Sequence, residues 1–226
     1  MPSAIPAINI PDPADISKLT LFAQYSAAAY CKDVTGTEET LPLGYQTKVR
    51  CKTGNCPLVE AAETLLIVGF DGLGDMDAPG IAPGDLDVGG FVAVDKTNNI
   101  LVVSFRGTIP TNVNDLETDA KIILKPWKCD GCSAHSGFAQ FWDAASILVE
   151  DAISEYQTQY PFYPIVVTGH SLGAAIATLA AADLRDRFSS TPVVGFSNAS
   201  IFPTLYSKHF YICIVSLQLR LSCCRK

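Results

Sequence analysis

The chain has 226 residues, 48% of them hydrophobic and 17% charged, with a formal net charge of −7. That balance buries a core and excludes a disordered chain. No Lys/Arg cluster provides the basic patch that a nucleic-acid partner needs, and the length suits one α/β domain.

In chain order, residues 15–30 place Ile16, Leu19, Phe22, Tyr25 and Ala29 at helical spacing, with Asp12 or Asp15 as a cap. A Gly/Cys/Pro-rich loop follows over 32–57, then a short β-prone run over 65–70. Residues 71–90 are rich in Gly, Asp and Pro and read as a loop. Its carboxylates Asp71, Asp75, Asp77, Asp85 and Asp87 lack the acid order and terminal Glu of a calcium-binding EF-hand, so a solvated loop is expected and no metal site.

Residues 91–95 and 100–105 read as a hairpin joined by Lys96-Thr97-Asn98-Asn99. Residues 136–160 carry Phe138, Phe141, Trp142, Ala145, Val149, Ile153 and Tyr156 at steps of three and four, which predicts a long amphipathic helix ended by Pro161 and Pro164. Residues 164–168 form an apolar strand of the kind buried on both faces, and 174–188 an Ala-rich helix. Hairpin, helix, strand and helix in this order predict an α/β fold, a mixed sheet covered by helices. The apolar stretch over 210–217 is ended by Gln218 and Arg220, short of the about 18 residues of a membrane-spanning helix, so no transmembrane segment is expected.

Eight cysteines stand at 31, 51, 56, 129, 132, 213, 223 and 224. They do not combine with His at zinc spacing, so an oxidising, extracellular compartment is the expectation. The N-terminus has no basic region and no long apolar run, hence no visible signal peptide. Secretion is inferred from the cysteines instead.

Gly169-His170-Ser171-Leu172-Gly173 matches G-x-S-x-G. By chance, roughly one chain in twelve of this composition would carry the pentapeptide. Its setting sharpens it, because an apolar strand runs in and an Ala-rich helix runs out. A nucleophilic serine needs such a turn to lift its hydroxyl clear of the sheet. Flanking glycines let strand and helix approach, and the helix start offers unpaired N–H groups to an oxyanion.

Five blocks then appear in one order: Ala28-Ala29-Tyr30-Cys31, Cys51 with Cys56-Pro57, Val103-Ser104-Phe105-Arg106-Gly107-Thr108, Cys129-Asp130-Gly131-Cys132 leading into His135-Ser136-Gly137-Phe138, and Thr168 to Ala175 followed by Ala182-Asp183-Leu184-Arg185. Together they resemble the fungal class 3 lipases over about residues 15–195. The resemblance implies an α/β-hydrolase fold, incomplete at the C-terminus, and a secreted ester hydrolase of the triacylglycerol lipase type acting on a lipid or other ester, with no metal or organic cofactor. It implies Ser171 as nucleophile and the backbone N–H of Leu172, together with Thr108, as oxyanion donors. It also implies disulfides Cys51–Cys56 and Cys129–Cys132, and a partner near the C-terminus for Cys31. The lid of the family would fall on 109–116, where only Ile109, Val113 and Leu116 are apolar. A polar lid is shared by feruloyl-type esterases, which keeps that substrate class open. His135 and His170 match positions that the family uses structurally.

The family order is Ser, then Asp, then His, with both partners far beyond the elbow. Here no Asp or Glu follows Asp186, and the later histidine is His209. Asp183 lies 12 residues past Ser171, about 18 Å along a helix, too far to complete a triad. The expectation is therefore a lipase-like domain over 15–195 and an unrelated tail over 196–226 that reads as translated non-coding sequence. Catalysis would be impaired or absent, and the apolar sheet edge after residue 195 left open.

Overall fold

The computed structural model describes residues 13–36, 46–71, 89–107, 124–128, 133–198, 212–216 and 220–223. Helix α1 spans Pro13–Ala28, α2 Lys32–Thr35 and α3 Pro57–Ala61. Strands β1 (Thr47–Lys48), β2 (Thr64–Phe70), β3 (Gly90–Asp95) and β4 (Ile100–Phe105) follow. Next come β5 (Leu124–Pro126), β6 (Ser133–His135), the long helix α4 (Ser136–Gln159), β7 (Ile165–His170) and α5 (Leu172–Arg187). The last elements are β8 (Val193–Asn198), β9 (Ile212–Ser216) and β10 (Arg220–Cys223).

Eight strands form one mixed sheet in the order β1-β2-β3-β4-β7-β8-β9-β10, and β5 pairs with β6 apart from it. The first four strands are antiparallel neighbours. The step from β4 to β7 is parallel and carries α4 as its crossover, and the step from β7 to β8 is parallel and carries α5.

Alternation in the strands sends side chains to two cores. Val92 and Val94 of β3, Leu101, Val103 and Phe105 of β4, and Ile165 and Val167 of β7 join Trp142, Val149, Ile153, Ile176 and Leu184 of α4 and α5. Their neighbours Phe91, Ala93, Ile100, Val102 and Val166 pack on the other face against Leu21, Tyr25 and Ala28 of α1. In β2 the period breaks. A register shift between Leu66 and Val68 lets both Ile67 and Val68 enter the α4/α5 core while Leu66 faces α1.

Helix α1 is also pinned by polar contacts in this otherwise apolar layer. The hydroxyls of Ser26 and Thr168 lie 2.7 Å apart, and Ser104 donates to the Tyr25 carbonyl at 3.0 Å. Tyr25 donates its phenol proton to Asp95, which also accepts from the Asn98 backbone at 2.9 Å. Burial, followed by that carboxylate, pushes the Tyr25 phenol far above its ordinary range.

Two features depart from the sequence-based expectation. The loop over 32–57 contains α2, β1 and the start of α3, elements too short to leave a periodic signal. The sheet edge expected to stay open after residue 195 is covered, since β9 pairs with β8 in parallel.

Candidate active site

Ser171 occupies the turn between β7 and α5 with φ 54° and ψ −123°. A non-glycine residue held there stores on the order of 1–3 kcal/mol of backbone strain. The flanking glycines make the turn sterically feasible. A Cβ on Gly169 would stand 2.3 Å from the Gly173 carbonyl oxygen, and one on Gly173 would stand 2.4 Å from that of Phe105. Strand and helix therefore meet at backbone distance, and Ser171 is left exposed at the C-terminal end of β7. Leu172 opens α5, so its N–H has no acceptor within the helix and sits at the positive end of the helix dipole.

The turn after β4 lies against this elbow. A Cβ on Gly107 would meet the His170 carbonyl oxygen at 2.6 Å, the Tyr30 hydroxyl at 2.9 Å and the Ser171 Cβ at 3.2 Å. Tyr30, two residues past α1, accepts a hydrogen bond from Gly107 N–H at 3.2 Å, and its hydroxyl lies 2.9 Å from His170 Nδ1. Burial raises the Tyr30 phenol and lowers the His170 imidazole, favouring the neutral form of both. One residue upstream, buried Arg106 forms an ion pair with Asp71 at 2.9 Å.

The structure separates the remaining candidates. His135 is buried beneath Phe138, ring centroids 4.3 Å apart, at the start of α4. Asp183 accepts from Trp142 Nε1 at 2.8 Å, pairs with Lys128 and lies 3.7 Å from Arg187 Nε, so its carboxylate is held between α4 and α5. Cys51 and Cys56 are joined in a disulfide, while Cys31 has no disulfide partner among the described residues, and burial shifts its thiol upward. Thr108, the segment 109–116, Cys129, Cys132 and His209 lie outside the described residues. Among the described residues no group of three His, Cys, Asp or Glu side chains could hold a metal, and no helix is long and apolar enough to cross a membrane. Sequence reasoning placed Tyr30 and Arg106 in matched blocks and Asp71 in an acidic loop without giving any of them a role at Ser171, and tertiary contact alone brings Tyr30 to Gly107.

A parallel strand, a strained exposed serine and a helix packed at glycine distance, set in a mixed sheet, define an α/β-hydrolase fold with a sharp strand–serine–helix turn. Residues 102–212, from within β4 to the start of β9, match the sequence model of the family described as Lipase (class 3). The secreted mono- and diacylglycerol lipase A of Penicillium cyclopium is 37% identical over 175 residues, 77% of this chain and 52% of that protein. The secreted mono- and diacylglycerol lipase 1 of Fusarium solani is 36% identical over 174 residues, 76% of this chain and 45% of that protein. The crystal structure of the mono- and diacylglycerol lipase from Aspergillus oryzae superposes with a TM-score of 0.67 at 34% identity, covering 83% of this chain and 62% of that one. The chain belongs to the class 3 lipase family. It spans about half the length of the curated relatives it matches.

Proposed function

We propose that the chain is a secreted carboxylic-ester hydrolase of the lipase type, with Ser171 as nucleophile and an acylglycerol or similar lipid ester as substrate. The observation that carries this reading is Ser171 itself, exposed at φ 54° between two glycines that tolerate no side chain. In the proposed chemistry Ser171 Oγ attacks the ester carbonyl and forms a tetrahedral intermediate. Charge on the former carbonyl oxygen is met by the N–H of Leu172 and by Thr108. Collapse releases the alcohol, and water then releases the acid. The names of the relatives support the mono- and diacylglycerol class and export from the cell. The feruloyl-type alternative rests on the polar composition of 109–116 and is weaker for that reason.

A second reading, a lipase-like protein without catalysis, is favoured by one observation. Asp183 is committed to Trp142 and Lys128, which does not leave it as a ready partner in a triad with Ser171. Loss of the base costs on the order of 10⁶ in kcat. The test is hydrolysis of p-nitrophenyl butyrate by the chain and by Ser171→Ala. Turnover by the parent alone supports the hydrolase, and His209 becomes the first residue to substitute. Folded proteins that both stay at the buffer rate overturn it in favour of the second reading.

A further inference from the structure

We propose that Tyr30 is a positioning residue of the Ser171 site, its hydroxyl clamping the Gly107 turn onto the nucleophile elbow through His170. The inference rests on the ester-hydrolase reading for its consequence in catalysis and on geometry alone for the clamp.

Gly107 N–H is a buried backbone donor just past the end of β4, where no strand partner receives it. Its acceptor is the phenol oxygen of Tyr30 at 3.2 Å, from a residue 77 positions away in the chain. A backbone amide can only donate, so the hydroxyl accepts there and keeps its own proton free to bond His170 Nδ1 at 2.9 Å. One hydroxyl thus joins the residue after Arg106 to the residue before Ser171. No side chain could share the space, because a Cβ on Gly107 would stand 2.9 Å from that hydroxyl and 2.6 Å from the His170 carbonyl oxygen.

The clamp is carried by rigid structure. The backbone N–H of Tyr30 bonds to Ala27 O at 3.1 Å and that of Cys31 to Ala28 O at 3.0 Å, which closes the end of α1. The helix itself is fixed to β7 by Ser26 and Thr168 and to β4 by Ser104. The raised Tyr30 phenol keeps its proton at neutral pH, as the donor role requires. Two peptide segments that must hold fixed positions around an ester carbonyl are therefore tied by one phenol oxygen. Such a residue acts on geometry, and misplacement of a reacting group by about 1 Å costs on the order of 10²-fold.

The test compares the full chain with Tyr30→Phe, which removes only the hydroxyl. Amide hydrogen exchange read by NMR is expected to accelerate about tenfold or more at Gly107 while the β4 amides of Leu101 and Val103 keep their protection. Replacement of Tyr30 by 3-fluorotyrosine, which retains the hydroxyl, is expected to retain Gly107 protection. Unchanged exchange at Gly107 overturns the clamp, and so does equal acceleration at all three amides, which marks general loosening. In p-nitrophenyl butyrate hydrolysis, Tyr30→Phe is expected to lower kcat about tenfold with KM held. A raised KM with kcat held would assign Tyr30 to substrate binding instead and overturn the positioning role. If the parent chain hydrolyses nothing, the ester-hydrolase reading fails, and the exchange measurement still decides the clamp.

Discussion

The elbow glycines act through space rather than through their own torsions. No left-handed φ is required of Gly169 or Gly173, yet a Cβ on either would enter backbone atoms 2.3 to 2.4 Å away. Gly169→Ala is therefore expected to push α5 off β7, costing about 2–4 kcal/mol in urea denaturation. A midpoint within error of the parent would show that the turn absorbs a methyl group and that the close approach is not structural. The strain at Ser171 belongs to the same arithmetic. Parallel pairing of β7 with β4 and β8 on one side and the buried face of α5 on the other hold the φ of 54° that an isolated serine would abandon.

At the scale of elements, α4 and α5 are joined across the core by one carboxylate. Asp183 takes the Trp142 indole proton at 2.8 Å and the Lys128 ammonium, and Arg187 reaches both Asp183 and, at 2.8 Å, Glu150 of α4. With Trp142 fully buried and Asp183 nearly so, removing the carboxylate strands a donor in the core. Asp183→Ala is expected to cost about 2–4 kcal/mol of stability, while the more exposed pair Lys125–Asp143 is worth about 0–1 kcal/mol. Thermal and urea unfolding of Asp183→Ala beside Asp143→Ala checks the contrast, and equal losses would remove the clamp role from Asp183. The helix that starts beside Ser171 carries the Asp183 carboxylate away from the turn to the α4 seam.

For the whole molecule, the question is what closes the sheet beyond β8. Gly195, Phe196 and Ser197 pair with Ile212, Cys213 and Ile214 of β9, and β10 folds back on β9 in antiparallel register. A chain ended after Asn198 would expose the N–H and C=O row of β8, a template for pairing with other chains. It is expected to melt below the full chain and to scatter light on heating. A truncated chain that stays monomeric with an unchanged melting temperature would show that β9 and β10 contribute nothing to the sheet.

The elements with strong periodicity were legible before any coordinates: α1, the β3–β4 hairpin, α4, β7 and α5 fall within two residues of their expected bounds, because burial on one or two faces writes itself into the order of apolar residues. The G-x-S-x-G turn was legible for the same reason, since a strained serine between two packed elements needs glycine on both sides. Short elements such as α2, β1, β5 and β6 hold too few residues for a period to show. The pairing of β9 with β8 was not legible either, since an apolar run of this length has no partner written in it. Composition and pattern alone thus determined the α/β class and singled out Ser171 as the nucleophile candidate. Only the tertiary structure decided that Tyr30 reaches Gly107 and His170, that Asp183 is taken by Trp142, and that the sheet continues past β8. Each of these is a contact between residues far apart in the chain, fixed by how the layers stack, and local sequence does not encode that distance.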